Sequence, residues 1–195
     1  MALGATIYSF AITLNDADRG VYQSLELRVA RHPSETVEFL LTRVLAYALE
    51  YTEGLEFSKG GISDTEQPAL AVRDLTGALQ AWIEVGTPDA ARLHRAAKAA
   101  RRVVVYAHRD VDALLARLDG AAIHRAGEIE VRSIGGTLVA ALAARLERRM
   151  SFDLSVSEDN LYLTLADATL EGVLSRRRIG EPAATRGAGF VSRDD

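Results

Sequence analysis

Residues 79–106, LQAWIEVGTPDAARLHRAAKAARRVVVY, decide the fold class. Between Leu79 and Val85 the apolar residues Leu79, Ala81, Ile83 and Val85 alternate with Gln80, Trp82 and Glu84, the period of two that marks a strand. Thr87-Pro88-Asp89 then reads as a helix start, with a hydroxyl cap, a proline in the first turn and an early acid, and the helix is predicted to run to about Arg101. The continuous run Val103-Val104-Val105-Tyr106 suits a strand covered on both faces, so the three segments predict a right-handed parallel β–α–β crossover and an α/β protein.

Working outward, Tyr8, Phe10, Ile12 and Leu14 keep a period of two, as do Leu25, Leu27 and Val29, and the turn-rich Asn15–Gly20 between them predicts an antiparallel hairpin. From Pro33 the period becomes helical, with a stripe of Val37, Leu40, Leu41, Val44, Leu45, Ala48 and Leu49 that stops at Gly54; Glu35 reads as a charge favourable to the helix terminus. Short strands are predicted at Leu55–Phe57, Ala69–Asp74 and Ile129–Ile134, and helices at Val111–Leu118 and Thr137–Arg149. A final hairpin sets Phe152, Leu154 and Val156 against Leu161, Leu163 and Leu165. One domain over residues 1–174 follows, and residues 175–195, opening on Arg176-Arg177-Arg178 with no apolar period, read as a mobile tail.

The 195 residues, 48% hydrophobic and 26% charged, suit one domain with a sizeable core. Cysteine is absent, which removes disulfide frameworks, zinc fingers and thiol nucleophiles, and His32, His94, His108 and His124 lack the spacing of a zinc site. The net charge of −4 excludes a generally basic nucleic-acid coat but allows a local basic face. No stretch reaches the roughly 18 apolar residues of a membrane helix, and the chain reads as cytoplasmic.

On the strand ending at Val85, Glu84 shares a face with Trp82, an arrangement suited to solvent or a ligand; a solvated edge carboxylate is the plainer reading. Asp74 ends the preceding strand and reads either as turn chemistry or, if the two strands are antiparallel neighbours, as a second carboxylate within reach of one divalent ion. Glu38, on the flank of the first helical stripe, is either a third oxygen donor or a solvated helix charge. Arg92, Arg95, Lys98 and Arg102 recur at helical spacing as a basic face, and Lys59 stands in a glycine-flanked loop.

These residues carry a resemblance. Met1–Tyr8, Ala30–Thr36, Leu55–Gly60, Trp82–Gly86 and Pro88-Asp89 together are similar to the YaeQ family of bacterial proteins, in order along most of the chain. The resemblance implies a restriction-endonuclease-like (PD-(D/E)XK) core, a central mixed sheet flanked by helices, with additional β-hairpins. It implies a Mg²⁺- or Mn²⁺-dependent nuclease acting on DNA or RNA, with Glu38, Asp74 and Glu84 matching the metal-binding acids. The motif lysine falls on Gly86, so Lys98, Lys59 or Arg95 is expected to supply the basic partner. A non-catalytic nucleic-acid or protein-binding module on the same fold is the alternative.

Overall fold

The computed structural model describes residues 4–58 and 66–181. The opening hairpin forms as its alternation dictates, β1 (Thr6–Asp16) pairing along its whole length with β2 (Val21–Arg31). Then follow α1 (Val37–Leu49), β3 (Leu55–Phe57), β4 (Leu70–Arg73), β5 (Leu79–Val85), α2 (Ala90–Ala99), β6 (Arg102–Tyr106), α3 (Val111–Leu118) and β7 (Glu130–Ile134). The chain closes with α4 (Gly136–Ala143), β8 (Arg149–Ser157), β9 (Asn160–Thr164) and β10 (Thr169–Arg178). All ten strands join one mixed sheet in the order β2-β1-β8-β9-β10-β7-β6-β5-β4-β3. The predicted crossover is present: β5 and β6 are parallel, and β4 pairs antiparallel with β5.

The sheet curls around α1 and α4. One apolar core unites Phe10, Ile12 and Leu14 of β1 with Leu41 and Leu45 of α1, Leu138 and Leu142 of α4, and Ile83 and Val85 of β5. A second core, with Leu93 of α2, Leu114 and Leu118 of α3 and Val103 and Val105 of β6, covers the outer face of the β5–β7 region. Alternate side chains of β5 therefore enter different cores, and Trp82, on the Glu84 side, is buried rather than facing solvent.

Three boundaries differ from the sequence reading, two because a nearer side chain caps the helix and one because a distant strand takes the segment. The first helix starts at Val37 behind the cap Thr36, whose side chain accepts from the Phe39 N–H at 3.2 Å, so Pro33 and Glu35 lie before the helix. The second is capped by Asp89, not Thr87, through the Arg92 N–H at 2.7 Å. The helix expected to reach Arg149 ends at Ala143, because Arg149 pairs in parallel with Ser9, and the Ser9 N–H bonds to the Arg148 carbonyl.

The tail reading is corrected as far as Glu181. Residues 174–178 are the second half of β10, paired antiparallel with β7, and Ile179 is buried in the outer core. The arginines hide the strand period because Arg176 and Arg178 follow Leu174 on one face while Arg177 takes the other. Residues 182–195 lie outside the described residues.

Glu35 and Arg43, 8 residues apart, form a buried pair, each 3% exposed. Arg43 donates from Nε to Glu35 Oε1 at 2.7 Å, from Nη2 to Oε2 at 3.0 Å, and from Nη2 to the Ala30 carbonyl at 2.8 Å. The pair thus fixes the β2–α1 corner. Burial, opposed by the Arg43 charge, raises the Glu35 carboxyl above the usual carboxylate range.

Two outcomes follow. Truncation after Leu174 should lower the melting temperature by about 5 °C or more, since it removes ladder pairs and buried Ile179; an unchanged melting curve would contradict the docking of β10. Arg43→Met should cost about 3–5 kcal/mol in denaturant unfolding by stranding Glu35, whereas the Glu35→Met/Arg43→Met double variant should recover most of that loss.

Candidate functional site

At the carboxyl end of β5 the chain must leave the sheet sharply, and Gly86 permits this with φ +111°. A Cβ there would stand 3.1 Å from Cε2 of Phe39 in the first turns of α1. The Gly86 N–H continues the sheet pattern to the Tyr106 carbonyl at 2.9 Å, so β5 and β6 end side by side. Starts of α1 and α2 both border this point, leaving a crevice beyond parallel strand ends, a common location for ligand sites in α/β sheets.

The crevice is a cavity of about 530 Å³. Its α1 side carries Ser34, Thr36, Phe39 and the Glu35–Arg43 pair; its α2 side carries Glu84 and Arg92, with His108 and Arg109 from the turn after β6. Glu84 is 6% exposed, and its Oε2 accepts both the Trp82 indole N–H at 3.0 Å and Arg92 Nε at 2.7 Å. Arg92 also donates to the Gln67 carbonyl at 2.8 Å and lies 5.7 Å over the Trp82 ring. Its guanidinium therefore locks Glu84, the indole and the segment before β4 into one unit.

His108 meets Phe39 edge-on, with ring centroids 5.3 Å apart, and its Nδ1 is buried with no hydrogen-bond partner among the described residues. Burial first, and the Arg109 charge second, hold its pKa below the ordinary imidazole value, while the Glu38 charge works in the opposite direction. The uncharged ring is thereby favoured, and its unpaired nitrogen lies buried behind the cavity wall. Arg109 stands exposed at the rim.

The predicted residues do not assemble as expected. Asp74 and Glu84 belong to paired segments, but to opposite ends of them: at about 3.3 Å per residue, the stretch from Leu79 to Glu84 alone spans about 17 Å. Asp74 is exposed turn chemistry, its Oδ1 accepting the Thr76 N–H at 2.9 Å, the Thr76 hydroxyl at 2.6 Å and the Ala78 N–H at 3.0 Å. The Thr76 hydroxyl bond foremost holds its carboxyl below the usual range. Leu70 pairs with Ile83, so the residue brought level with Glu84 is Ala69.

Glu38 is exposed in the first turn of α1 and acts on the site through its charge on His108. The supposed basic face is divided. Arg92 turns to Glu84, Arg102 lies on β6 with Glu50, Arg95 is exposed 3.8 Å from Glu66, and Lys98 is exposed about 9 Å of helix rise beyond Arg92. Lys59 lies outside the described residues.

The expected set does not fit a divalent ion: it supplies one buried carboxylate, already taking two N–H donors, opposite an alanine and beside a glycine. Among the described residues no three of His, Asp and Glu group to hold a metal. The cleft residues that sequence reasoning missed are Arg43, Arg92 as the partner of Glu84, His108 and Arg109. Only Arg43 carried a signal, a charge set between Leu40-Leu41 and Val44-Leu45 inside the apolar stripe.

The family model described as YaeQ protein matches residues 1–173. The chain is 38% identical over 108 residues to "Uncharacterized protein YaeQ" of Escherichia coli (strain K12), a match covering 55% of this chain and 59% of that protein. A protein of the same description from Salmonella typhi gives the same identity and coverage. The chain thus spans less than two thirds of the length of these curated relatives. Two crystal structures share the fold at a TM-score of 0.81. YaeQ protein from Pseudomonas syringae is 33% identical, with 88% of this chain and 95% of that chain covered. YaeQ protein from Xanthomonas axonopodis pv. citri is 31% identical, with 89% and 98% covered. With the family model spanning most of its length and the architecture reproduced in both structures, the chain belongs to the YaeQ family.

Proposed function

We propose that the protein is a non-catalytic binding module on a degenerate restriction-endonuclease-like core, and that its cleft takes a phosphate of DNA or RNA. The core assignment is supported by the order α1, antiparallel β3-β4-β5, α2 and then parallel β6. A Mg²⁺-dependent nuclease on this core needs a second acid level with Glu84, and Ala69 stands there; the Phe39 ring fills the space a side chain at Gly86 would take, with only the partly buried His108 imidazole nearby. The observation that carries the binding reading is the Arg92–Glu84 contact at 2.7 Å, which neutralises the one core acid and replaces a metal as its partner.

An anionic ligand gains there from Arg109 at the rim, the hydroxyls of Ser34 and Thr36, and the unsatisfied nitrogen of His108. The starts of α1 and α2 add the favourable ends of two helix dipoles. Because the chain is acidic overall, the interaction is local, through a few phosphates rather than a broad basic face.

Fluorescence polarisation with labelled DNA and RNA oligonucleotides in EDTA tests this reading. Binding should occur without metal, weaken with salt and fall about ten-fold in His108→Gln/Arg109→Ala. No binding to any oligonucleotide at about 100 µM protein would refute it, and Mn²⁺-dependent cleavage lost in Glu84→Ala would replace it with the nuclease.

The affinity should also depend on pH. A bound anion favours the imidazolium, so binding takes up a proton and strengthens as pH falls through the depressed His108 pKa. Affinity measured from about pH 8 to about pH 5 should therefore rise on acidification in the wild type and flatten in His108→Gln.

A further inference from the structure

Beyond the cleft, β10 ends in three consecutive arginines whose surroundings are unusual. In the ladder with β7, Arg176 stands directly opposite Arg132 and Arg178 opposite Glu130. Two guanidinium groups at facing positions repel unless negative charge lies between them. Arg132 is already engaged, donating from Nη1 to Glu50 Oε1 at 2.7 Å and from Nη2 and Nε to Glu130 Oε2 at 2.5 and 3.0 Å.

The β10 arginines are not fully engaged. Arg176 Nη2 lies 2.7 Å from Asp159 Oδ1 but off the hydrogen-bond direction, and that buried oxygen is left without a hydrogen bond. Arg177 reaches Asp112 at only 3.3 Å from Nη1, and its Nε is buried with no partner. The Arg178 guanidinium has no partner among the described residues; only its backbone N–H is bonded, to Glu181 Oε2 at 2.9 Å.

These groups border a cavity of about 410 Å³ lined by Glu130, Arg132, Arg176, Arg177, Arg178 and Glu181. Four arginines and two glutamates line it, and Asp159, Asp112 and Glu50 lie against Arg176, Arg177 and Arg132 from outside the lining. Arg132, 7% exposed, forms a fixed charged floor, while Arg176 and Arg178 are exposed above it. The cavity shares no lining residue with the cleft.

We infer that this cavity is a second anion site that binds a phosphate group, held by Arg176 and Arg178 over the Arg132 floor. Planar guanidinium forks match phosphate oxygens two at a time, and the donors of Arg178 and of Arg176 that no carboxylate takes are left to meet them. The inference stands independently of the cleft and its ligand.

Inorganic phosphate is the probe, used with the full chain. Titration calorimetry should give a saturable site that persists in His108→Gln/Arg109→Ala, and the melting temperature of that cleft variant should rise with phosphate over chloride at matched ionic strength. Arg176→Gln and Arg178→Gln should each weaken binding about ten-fold, and Arg178→Lys should weaken it less because charge survives without the fork. Arg109→Ala, altering the cleft rim, should leave this binding unchanged. Since Arg176 and Arg178 are exposed, melting in chloride verifies that each variant folds. No binding to folded wild type at about 10 mM phosphate, or undiminished binding in Arg176→Gln/Arg178→Gln, would overturn the inference. Competition by a nucleoside monophosphate compared with a 5′-phosphorylated oligonucleotide then distinguishes a free phosphate ester from a nucleic-acid end.

Discussion

The whole architecture depends on β10 changing partners halfway along its length. Thr169–Val173 pair with β9 and Leu174–Arg178 with β7, so one strand joins the hairpin-rich half of the sheet to the half that carries the cleft. At the change of partner, the Gly135 N–H bonds to the Val173 carbonyl and the Leu174 N–H to the Asp159 carbonyl, leaving both halves anchored. Helix α4 crosses this junction so closely that a Cβ on Gly172 would lie 2.8 Å from Leu138 Cδ1. Only a residue without a side chain lets α4 pack where the sheet bends.

Curling the sheet places α1 inside it, and a helix enclosed on most sides has few ways to accommodate charge. Arg43, midway along α1, resolves this through Glu35, which lies just before the helix. Glu50, the C-cap, is the opposite case: a buried carboxylate at the negative end of a helix dipole is doubly disfavoured. It takes Arg102 and Arg132 at 2.7 Å each and the Tyr106 hydroxyl at 2.8 Å. Burial and then the Glu50 charge push the Tyr106 hydroxyl far above the usual phenol range, so it remains a proton donor to that carboxylate. Helix α1 is thus fixed by the Arg43–Glu35 pair and its hydrogen bond to the Ala30 carbonyl of β2, and at its end by ion pairs to β6 and β7, and its start is held at the cleft.

Local periodicity made most of the fold legible. The hairpin of β1 and β2, the stripe of α1, the full extent of β5 and the covered run of β6 follow from residues a few positions apart. What escaped was set by distant partners: β10 is recognisable only from its pairing with β7 and β9, and the end of α4 only from the pairing of Arg149 with Ser9. The site was less legible for the same reason. The face shared by Glu84 and Trp82 could be read from a period of two, but which residue stands opposite Glu84 depends on the β4–β5 register. That register brings Ala69 level with it and leaves Asp74 in the turn. His108 follows a strand end with no surrounding pattern, and its place beside Phe39 is a tertiary contact.

The buried carboxylates share one chemical solution. Among the described residues Asp16, Glu35, Glu50 and Glu84 sit in four separate places, and each is matched by arginine: Arg19, Arg43, Arg102 with Arg132, and Arg92. Arginine suits this role because it keeps its charge when buried and donates from several fixed directions, which a lysine cannot do. Such pairs contribute little net stability over apolar packing, but losing one partner leaves an uncompensated charge, so each specifies a geometry. Glu35–Arg43 and Arg92–Glu84 are both walls of the cleft, which makes the cavity preorganised and leaves few groups to meet a ligand. The groups that remain, the His108 nitrogen and the Arg109 guanidinium, follow β6, whose last residue Tyr106 is hydrogen-bonded to Glu50 beneath the sheet. The ionic lattice that holds α1 inside the sheet thereby also sets the position from which the cleft presents its open donors.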